Sequence, residues 1–282
     1  MILFKKATEI NLYLQQCRQS GKSIGFVPTM GALHQGHISL IATSKLACSV
    51  TVCSIFVNPT QFNDAKDFEN YPSTIEKDID ALEKAGCDVL FLPSVLEMYP
   101  TGTQNVQTYQ LGYLETVLEG KYRPGHFQGV CLVMHRLLTI VTADQLYLGQ
   151  KDYQQCMVIK KLIELEKINT TVNICPTLRE SSGLAMSSRN MRLSDEERKQ
   201  ALKIFETLSF LKTNIKPGDL SELKQTAVNN LINSGFEVDY VEIAGADNLE
   251  IIEKWDGNKK LVAVAAAFLS NVRLIDNLLL AQ

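Results

Sequence analysis

The chain has 282 residues and a near balance of charge, 28 Lys and Arg against 31 Asp and Glu, for a net charge of -3 and a sequence pI near 5.9. That length suffices for two domains and a sizeable core, and the charge balance advertises no polyanion-binding surface, which disfavours a nucleic-acid-binding role. The seven Cys (17, 48, 53, 87, 131, 156 and 175) are odd in number and scattered without a Cys-x-x-Cys pair. They read as reduced core residues of a cytosolic protein rather than as disulfides or a zinc site. The opening Met1-Ile2-Leu3-Phe4-Lys5-Lys6 lacks the apolar stretch of a signal peptide. The longest apolar run, residues 261–269, falls well short of a membrane span, so a soluble, cytoplasmic protein is expected.

In chain order, residues 7–19 have helical spacing (Ile10, Leu12, Tyr13, Leu14, Cys17) closed by Gly21. A β-rich run over 23–27 then leads into Pro28-Thr29-Met30-Gly31-Ala32-Leu33-His34-Gln35-Gly36-His37-Ile38-Ser39-Leu40, from which an apolar helical pattern departs. A strand, a Gly-containing turn and a helix start place unpaired N–H groups and a positive dipole end together, a setting that suits phosphate. His34 and His37 share a face if the turn is already helical. They either meet phosphate oxygens that gain charge during transfer or sit in a solvated turn, capping locally.

Residues 50–57 predict a strand buried on both faces, ending in Asn58-Pro59-Thr60-Gln61-Phe62-Asn63, a loop at the carboxyl end where ligands of parallel sheets collect. Gln61 there offers donors and an acceptor, useful toward a hydroxy acid, or is an ordinary loop amide. Ser73 and Glu76 suggest a capping box opening a helix to residue 85, with Gly86 as its stop, before a strand over 88–92 and a loop through 97–100. Lys121-Tyr122-Arg123-Pro124-Gly125-His126-Phe127 is either an anion loop or a solvated loop before a 126–142 helix, within which His135 reads as a core or flank residue.

Residues 145–148 predict a further core strand, and Gly149-Gln150-Lys151-Asp152-Tyr153-Gln154-Gln155 opens the next helix. Lys151 stands where phosphate would sit, and Asp152 is either a participant or a first-turn acid. After a strand over 171–175, Gly183-Leu184-Ala185-Met186-Ser187-Ser188-Arg189-Asn190 combines small residues, two hydroxyls and a guanidinium. Such a loop can close on a triphosphate, or it is a plain linker. Beyond Ser194 come helices over about 194–214 and 219–233 and strands over 237–243, 261–269 and 272–278, a small α+β domain. Strands and helices alternate with short connections in the first part, which argues for a parallel Rossmann-like sheet. Neither G-x-G-x-x-G nor a P-loop is present, against a dinucleotide enzyme or P-loop NTPase.

His-x-Gly-His after a first strand resembles the HIGH signature of the adenylyl-transferring nucleotidyltransferases. The whole string PTMGALHQGHISL closely resembles the pantothenate synthetase (pantoate–β-alanine ligase) family, as do F-V-N-P-x-Q-F, R-P-x-H-F-x-G-V, G-x-K-D-x-Q-Q and the terminal R-L-I-D-N. The resemblance implies an α/β fold with a Rossmann-like nucleotide- and pantoate-binding domain over 1–177. A smaller α+β lid domain over 178–282 would carry the Met186–Arg189 loop, counterpart of the KMSKS loop, at its start. It implies ATP-dependent joining of pantoate to β-alanine through a pantoyl adenylate, with Mg²⁺ arriving with ATP, and a homodimer. His37, His34 and Lys151 would be catalytic. ATP would meet Met30, Gly31, His34, Gly36, His37, Gly149, Lys151, Asp152, Leu178, Met186, Ser187, Ser188 and Arg189, with Asp152 at the ribose. Gln61, Gln155 and Met30 would bind pantoate and β-alanine, with Arg123 and His126 bordering the cavity. The chain departs from the family pattern at Ser182 (usually Asp), Ser73 (often basic) and Gln150 (often acidic). The rival readings are another HxGH nucleotidyltransferase, or a nucleotide-binding homologue that has lost catalysis.

Overall fold

The computed structural model describes residues 1–62, 68, 71, 72, 74–103 and 107–281. It divides into two units, Met1–Gly149 with Val158–Pro176, and Gln150–Met157 with Thr177–Gln282. The crossing of Gln150–Met157 into the second unit is absent from the simple division at 177/178 expected from sequence. Its cause is polar. The carbonyls of Gln150 and Lys151 are held by Asn277, and the Tyr153 hydroxyl donates to the Ala246 carbonyl at 2.7 Å.

The first unit is a six-stranded sheet in the order β1-β4-β3-β2-β5-β6, formed by β1 (Ile2–Phe4), β2 (Ile24–Thr29), β3 (Val50–Ile55), β4 (Val89–Phe91), β5 (Gln145–Gly149) and β6 (Thr171–Cys175). Every pairing is parallel. The helices of the alternation are α1 (Ala7–Gln19), α2 (Gln35–Ala47), α3 (Ile75–Lys84), the short α4 (Val95–Met98) and α5 (Glu119–Tyr122), α6 (His126–Val141) and α7 (Tyr153–Leu165). All six residues of β3 are buried, as a parallel strand covered on both faces requires. Leu40 and Ile41 of α2 and Leu82 of α3 pack with Val27, Cys53, Ile55, Leu90 and Tyr147 of the sheet. Gly25 makes the approach of α2 possible, because a Cβ there would lie 2.2 Å from Ser44 Oγ. Asn11 and Arg18 of α1 donate to the carbonyls of Ile140 and Val141, tying α1 to the end of α6.

The strand order places the site. From β2 the chain steps outward through β3 to β4, then returns across the sheet to β5 on the other side of β2. The reversal falls between β2 and β5, and the crevice outside their carboxyl ends is where open α/β sheets bind ligands. β2 runs to Thr29, two residues past the strand predicted from sequence. Pro28 is tolerated there because Thr29 O accepts from Phe56 N on the β3 side, so Pro28 N faces the β5 side, where pairing has ended at Phe26.

The second unit joins α8 (Asp195–Asn214) and α9 (Ser221–Asn233) to a three-stranded antiparallel sheet of β8 (Glu237–Gly245), β10 (Leu261–Leu269) and β11 (Val272–Ala281). A small ribbon pairs β7 (Gly218–Asp219) with β9 (Lys254–Trp255). Ile204, Leu208 and Leu211 of α8 and Ala227 and Leu231 of α9 cover Ala263, Ala265 and Ala267 of β10, whose small side chains leave room for them. A capping box opens α8, with Ser194 Oγ accepting from Glu197 N and Glu197 Oε2 from Ser194 N.

Several local expectations change. The loop predicted over 97–100 contains α4, capped by Ser94, whose hydroxyl accepts from Glu97 N. One helical turn shows no periodicity in sequence. Ser73 lies outside the described residues. α3 begins at Ile75 after Thr74, without a side-chain cap bond. The three-residue edge strand β1 was too short to stand out. Among the described residues no helix is long and apolar enough to cross a membrane.

All seven cysteines are free. Burial pushes the Cys87 thiol up to about 11 and Cys131 up to about 12, and raises Cys53 well above the ordinary thiol range. These groups therefore stay protonated, and unreactive as nucleophiles, at mildly alkaline pH. Iodoacetamide treatment of the native protein followed by peptide mass spectrometry is expected to leave all three unmodified, and denaturation to expose them. Alkylation of native Cys131 would contradict the burial.

Candidate active site

In the first unit the functional turn is built on backbone that is costly to hold. Gly31 (φ 84°) and Ala32 (φ 48°) both adopt left-handed conformations, which for a residue with a Cβ costs about 1–2 kcal/mol. Asp78 of α3, 2 % exposed, secures them. Its carboxylate accepts from Ala32 N at 2.9 Å and Leu33 N at 2.8 Å, and from the Thr74 hydroxyl at 3.0 Å. Thr29 adds a second tie, its hydroxyl donating to Ser54 O at 2.7 Å while accepting from Gly31 N.

The turn delivers His34 as the N-cap of α2 and His37 within its first turn. The rings lie 4.0 Å apart between centroids. Gly36 N donates to His34 Nδ1 at 3.2 Å, and His34 N donates to His37 Nδ1 at 3.3 Å. A backbone N–H aimed at each Nδ1 demands a lone pair there, so each neutral ring carries its proton on Nε2. The two histidines thus cap the helix locally and have their Nε2–H donors set by the same bonds. Local capping and phosphate contact, alternatives in the sequence, are compatible in the structure.

Gln61 closes a short 3-10 turn, Pro59–Gln61, after β3. Its Nε2 stands 2.6 Å from Met30 Sδ, so the predicted substrate residues Met30 and Gln61 meet. Asn58, 1 % exposed, holds this turn. Its Nδ2 donates to Gly129 O and Gln61 Oε1, and its Oδ1 accepts from the Tyr99 hydroxyl at 2.8 Å and from Thr60. Burial pushes the Tyr99 phenol up to about 12, keeping it a donor. His126 Nδ1 faces Gln61 O at 2.8 Å, and since a carbonyl only accepts, that nitrogen carries the proton. Its Nε2 then takes the Arg123 guanidinium N–H at 3.1 Å. His126 and Arg123 therefore position the Gln61 turn. Gly129 leaves that turn room, because a Cβ would lie 2.2 Å from Thr60 O. Gly149 ends β5, the strand beside β2.

In the second unit, Lys151 and Asp152 form the turn before α7, with Lys151 Nζ 3.8 Å from Asp152 Oδ1. Gln155 is half-buried in the helix's first turn. Leu178 and Met186 meet across a hairpin, Met186 N donating to Leu178 O at 3.1 Å, with Arg179 and Ala185 bridged inside it. Ser187 caps the following 3-10 turn, Ser188–Arg192, accepting from Arg189 N at 3.2 Å. Asn190 donates to Ala185 O, and Arg198 reaches Glu180 at 2.7 Å. Ser182 directs its oxygen at Leu184 N, at 3.5 Å. Gln150 spends its amide on Asn277 Oδ1.

A family model described as pantoate-beta-alanine ligase matches residues 2–279. The chain belongs to the pantoate–β-alanine ligase family. It is 44% identical over 283 residues to a pantothenate synthetase of Cytophaga hutchinsonii and 41% identical over 280 residues to one of Porphyromonas gingivalis, covering 99% of both chains in each case. Among solved structures, a pantothenate synthetase from Thermus thermophilus superimposes with a TM-score of 0.90 at 35% identity, covering 100% of both chains. Pantoate-beta-alanine ligase from Francisella tularensis, complexed with beta-gamma ATP and beta-alanine, superimposes with a TM-score of 0.83 at 39% identity, covering 99% of this chain and 97% of that one.

Sequence reasoning passed over the residues that hold these turns. Asp78 carried no signal, Asn58 stood only as a neighbour of Gln61, and Asp276 and Asn277 only as letters of R-L-I-D-N. Their partners lie far away in sequence, and no spacing rule reaches them. Asp78→Ala would strand the N–H groups of buried Ala32 and half-buried Leu33, with an expected loss of about 2 kcal/mol or more in urea unfolding. Asp78→Asn, which keeps one acceptor, should fall between. Wild-type stability in Asp78→Ala would remove Asp78 from this role.

Proposed function

We propose that the chain is an ATP-dependent ligase that joins pantoate to β-alanine through a pantoyl adenylate, in the cytoplasm and as a homodimer. The observation that carries this reading is the pair of Nε2–H imidazoles at the N-terminus of α2, at the sheet's switch point, in a chain of this family. A pantoate carboxylate oxygen attacks the α-phosphorus of ATP, the bond to the β-phosphate breaks, and pyrophosphate leaves. The β-alanine nitrogen then attacks the acyl carbon, its bond to AMP breaks, and the amine loses a proton.

Charge builds on non-bridging and leaving oxygens, and the reaction needs alignment and donors more than a protein nucleophile. His37 and His34 serve as neutral donors to the phosphates beside the helix dipole, on backbone supplied by Met30, Gly31 and Gly36. Lys151 holds phosphate as a point charge, and Ser187, Ser188 and Arg189 take the triphosphate and leaving group. Gly149, Leu178 and Met186 contribute main chain and apolar walls to the nucleotide, with Asp152 at the ribose. Gln61 and Gln155, with Met30, bind pantoate and β-alanine. Mg²⁺ travels with ATP and is bound mainly by phosphate oxygens. Among the described residues no group of three or more His, Cys, Asp or Glu is placed to hold a metal.

The deciding experiment is exchange of labelled pyrophosphate into ATP with Mg²⁺ and without amine. Exchange is expected only when pantoate is present, and adding β-alanine should convert it to AMP and pantothenate formation. ATP binding without exchange would point to a homologue that has lost catalysis, and exchange with a different acceptor to another nucleotidyltransferase. His37→Ala and Lys151→Ala are each expected to cut exchange by about a hundredfold or more, the scale of losing one charge-stabilising donor. Near-wild-type rates in either would take that residue out of the mechanism.

A further inference from the structure

One buried amide in the second unit has no part in the roles above. Asn277 of β11 is 2 % exposed. Its Nδ2 donates to the carbonyls of Gln150, at 2.9 Å, and Lys151, at 2.8 Å, and its Oδ1 accepts from Gln150 Nε2 at 3.1 Å. No peptide bond here is cis, and in a planar trans peptide the C=O and the next N–H point in opposite directions. Pinning the Gln150 carbonyl onto Asn277 therefore aims the N–H of Lys151 away from β11. Pinning the Lys151 carbonyl does the same for the N–H of Asp152. Two successive backbone donors gain a fixed direction at the opening of α7, beside the Lys151 ammonium.

The neighbouring side chain extends the arrangement to the other phosphate loop. Asp276 accepts both Arg179 guanidinium nitrogens, at 2.7 and 3.0 Å. Arg179 also donates to Asn277 O at 3.2 Å and to Gly183 O at 3.2 Å, while lying over the Phe205 ring at 4.1 Å. Arg179 is itself a residue of the hairpin that leads into Ser187–Arg189. Two adjacent residues of β11 thus fix both segments.

We infer that Asn277, backed by Asp276 and Arg179, is a positioning residue that points the backbone N–H groups of Lys151 and Asp152 at the nucleotide phosphates and keys them to the hairpin that leads into Ser187–Arg189. The position calls for an amide. One nitrogen must donate twice and one oxygen must accept. A carboxylate would set negative oxygen against two carbonyls, and an apolar side chain would leave both unpaired. The inference rests on the reading of Lys151 as a phosphate-binding residue.

The test compares Asn277→Asp, which preserves volume, and Asn277→Ala with Lys151→Ala and with Lys224→Met. The last removes a buried ion-paired lysine of the same unit, bonded to Glu242 and Glu253, and serves as a control for general destabilisation. ATP affinity is measured by calorimetric titration well below each melting midpoint. Both Asn277 variants and Lys151→Ala are expected to weaken ATP binding by about tenfold, the scale of two lost or reversed hydrogen bonds. Lys224→Met should melt earlier yet bind ATP within about twofold of wild type, as independent sites do. ATP binding at wild-type strength in both Asn277 variants, with Lys151→Ala weakened, would overturn the inference and leave the reading of Lys151 intact. Equal weakening in Lys224→Met would also overturn it, by reducing the effect to instability. Wild-type binding in Lys151→Ala would remove that reading and the inference together.

Discussion

The turn that starts α2 depends on a buried carboxylate bonded to main chain. The stretch from Thr29 to His34 must turn sharply enough to start α2 at the end of β2, and it does so through two consecutive left-handed residues, one of them Ala32. Nothing in the turn's own sequence beyond Gly31 favours that path. Asp78 supplies what is missing by accepting the N–H groups of Ala32 and Leu33 with a carboxylate that is itself buried. The tautomers of His34 and His37 follow from this, because the N–H groups of His34 and Gly36 are then fixed where they meet the two Nδ1 atoms. Backbone geometry thereby decides which imidazole nitrogen carries the proton.

The same logic recurs around the molecule. Asn58 secures the Gln61 turn, His126 orients the Gln61 carbonyl, and Asn277 secures the Lys151 turn. In the last two cases a polar side chain from another element binds the main chain of a residue that meets substrate in the proposed reaction. Loops rely on such bonds because they lack a ladder of their own. A substrate-facing side chain cannot easily secure itself, since its polar atoms are needed for the ligand.

The legible part of this protein is therefore its periodic part and its motif letters. α1, α6, α8 and β10 could be read closely because spacing, caps and breakers act within a few residues. The His34–His37 helix start was legible as a strand followed by a glycine turn, and Gln61 as a loop residue at a strand end. What could not be read was long-range pairing. Asp78 bonds to residues 45 and 46 positions away, and Asn277 to ones 126 and 127 away. The assignment of Gln150–Met157 to the second unit follows from those same distant bonds, so a cut of the chain at one point was bound to miss it. β1 and α4 were hidden for a different reason, being too short for any period to show.

The division of chemistry between the two groups of residues also has a physical basis. Around α2 the proposed donors are neutral imidazoles and a helix terminus, all attached to rigid secondary structure. In the second unit they are a lysine, an arginine and hydroxyls on turns. A neutral donor with a fixed direction stabilises charge that appears at one atom in the transition state, because its dipole already points there. Flexible cations are better suited to charge that moves, as when the β-phosphate oxygen becomes part of departing pyrophosphate. On that view the turns carrying Lys151 and Arg189 need restraint at their bases and freedom at their side-chain ends. Asn277 and Arg179 grip main chain and leave the Lys151 side chain out of their bonds, which supplies that restraint.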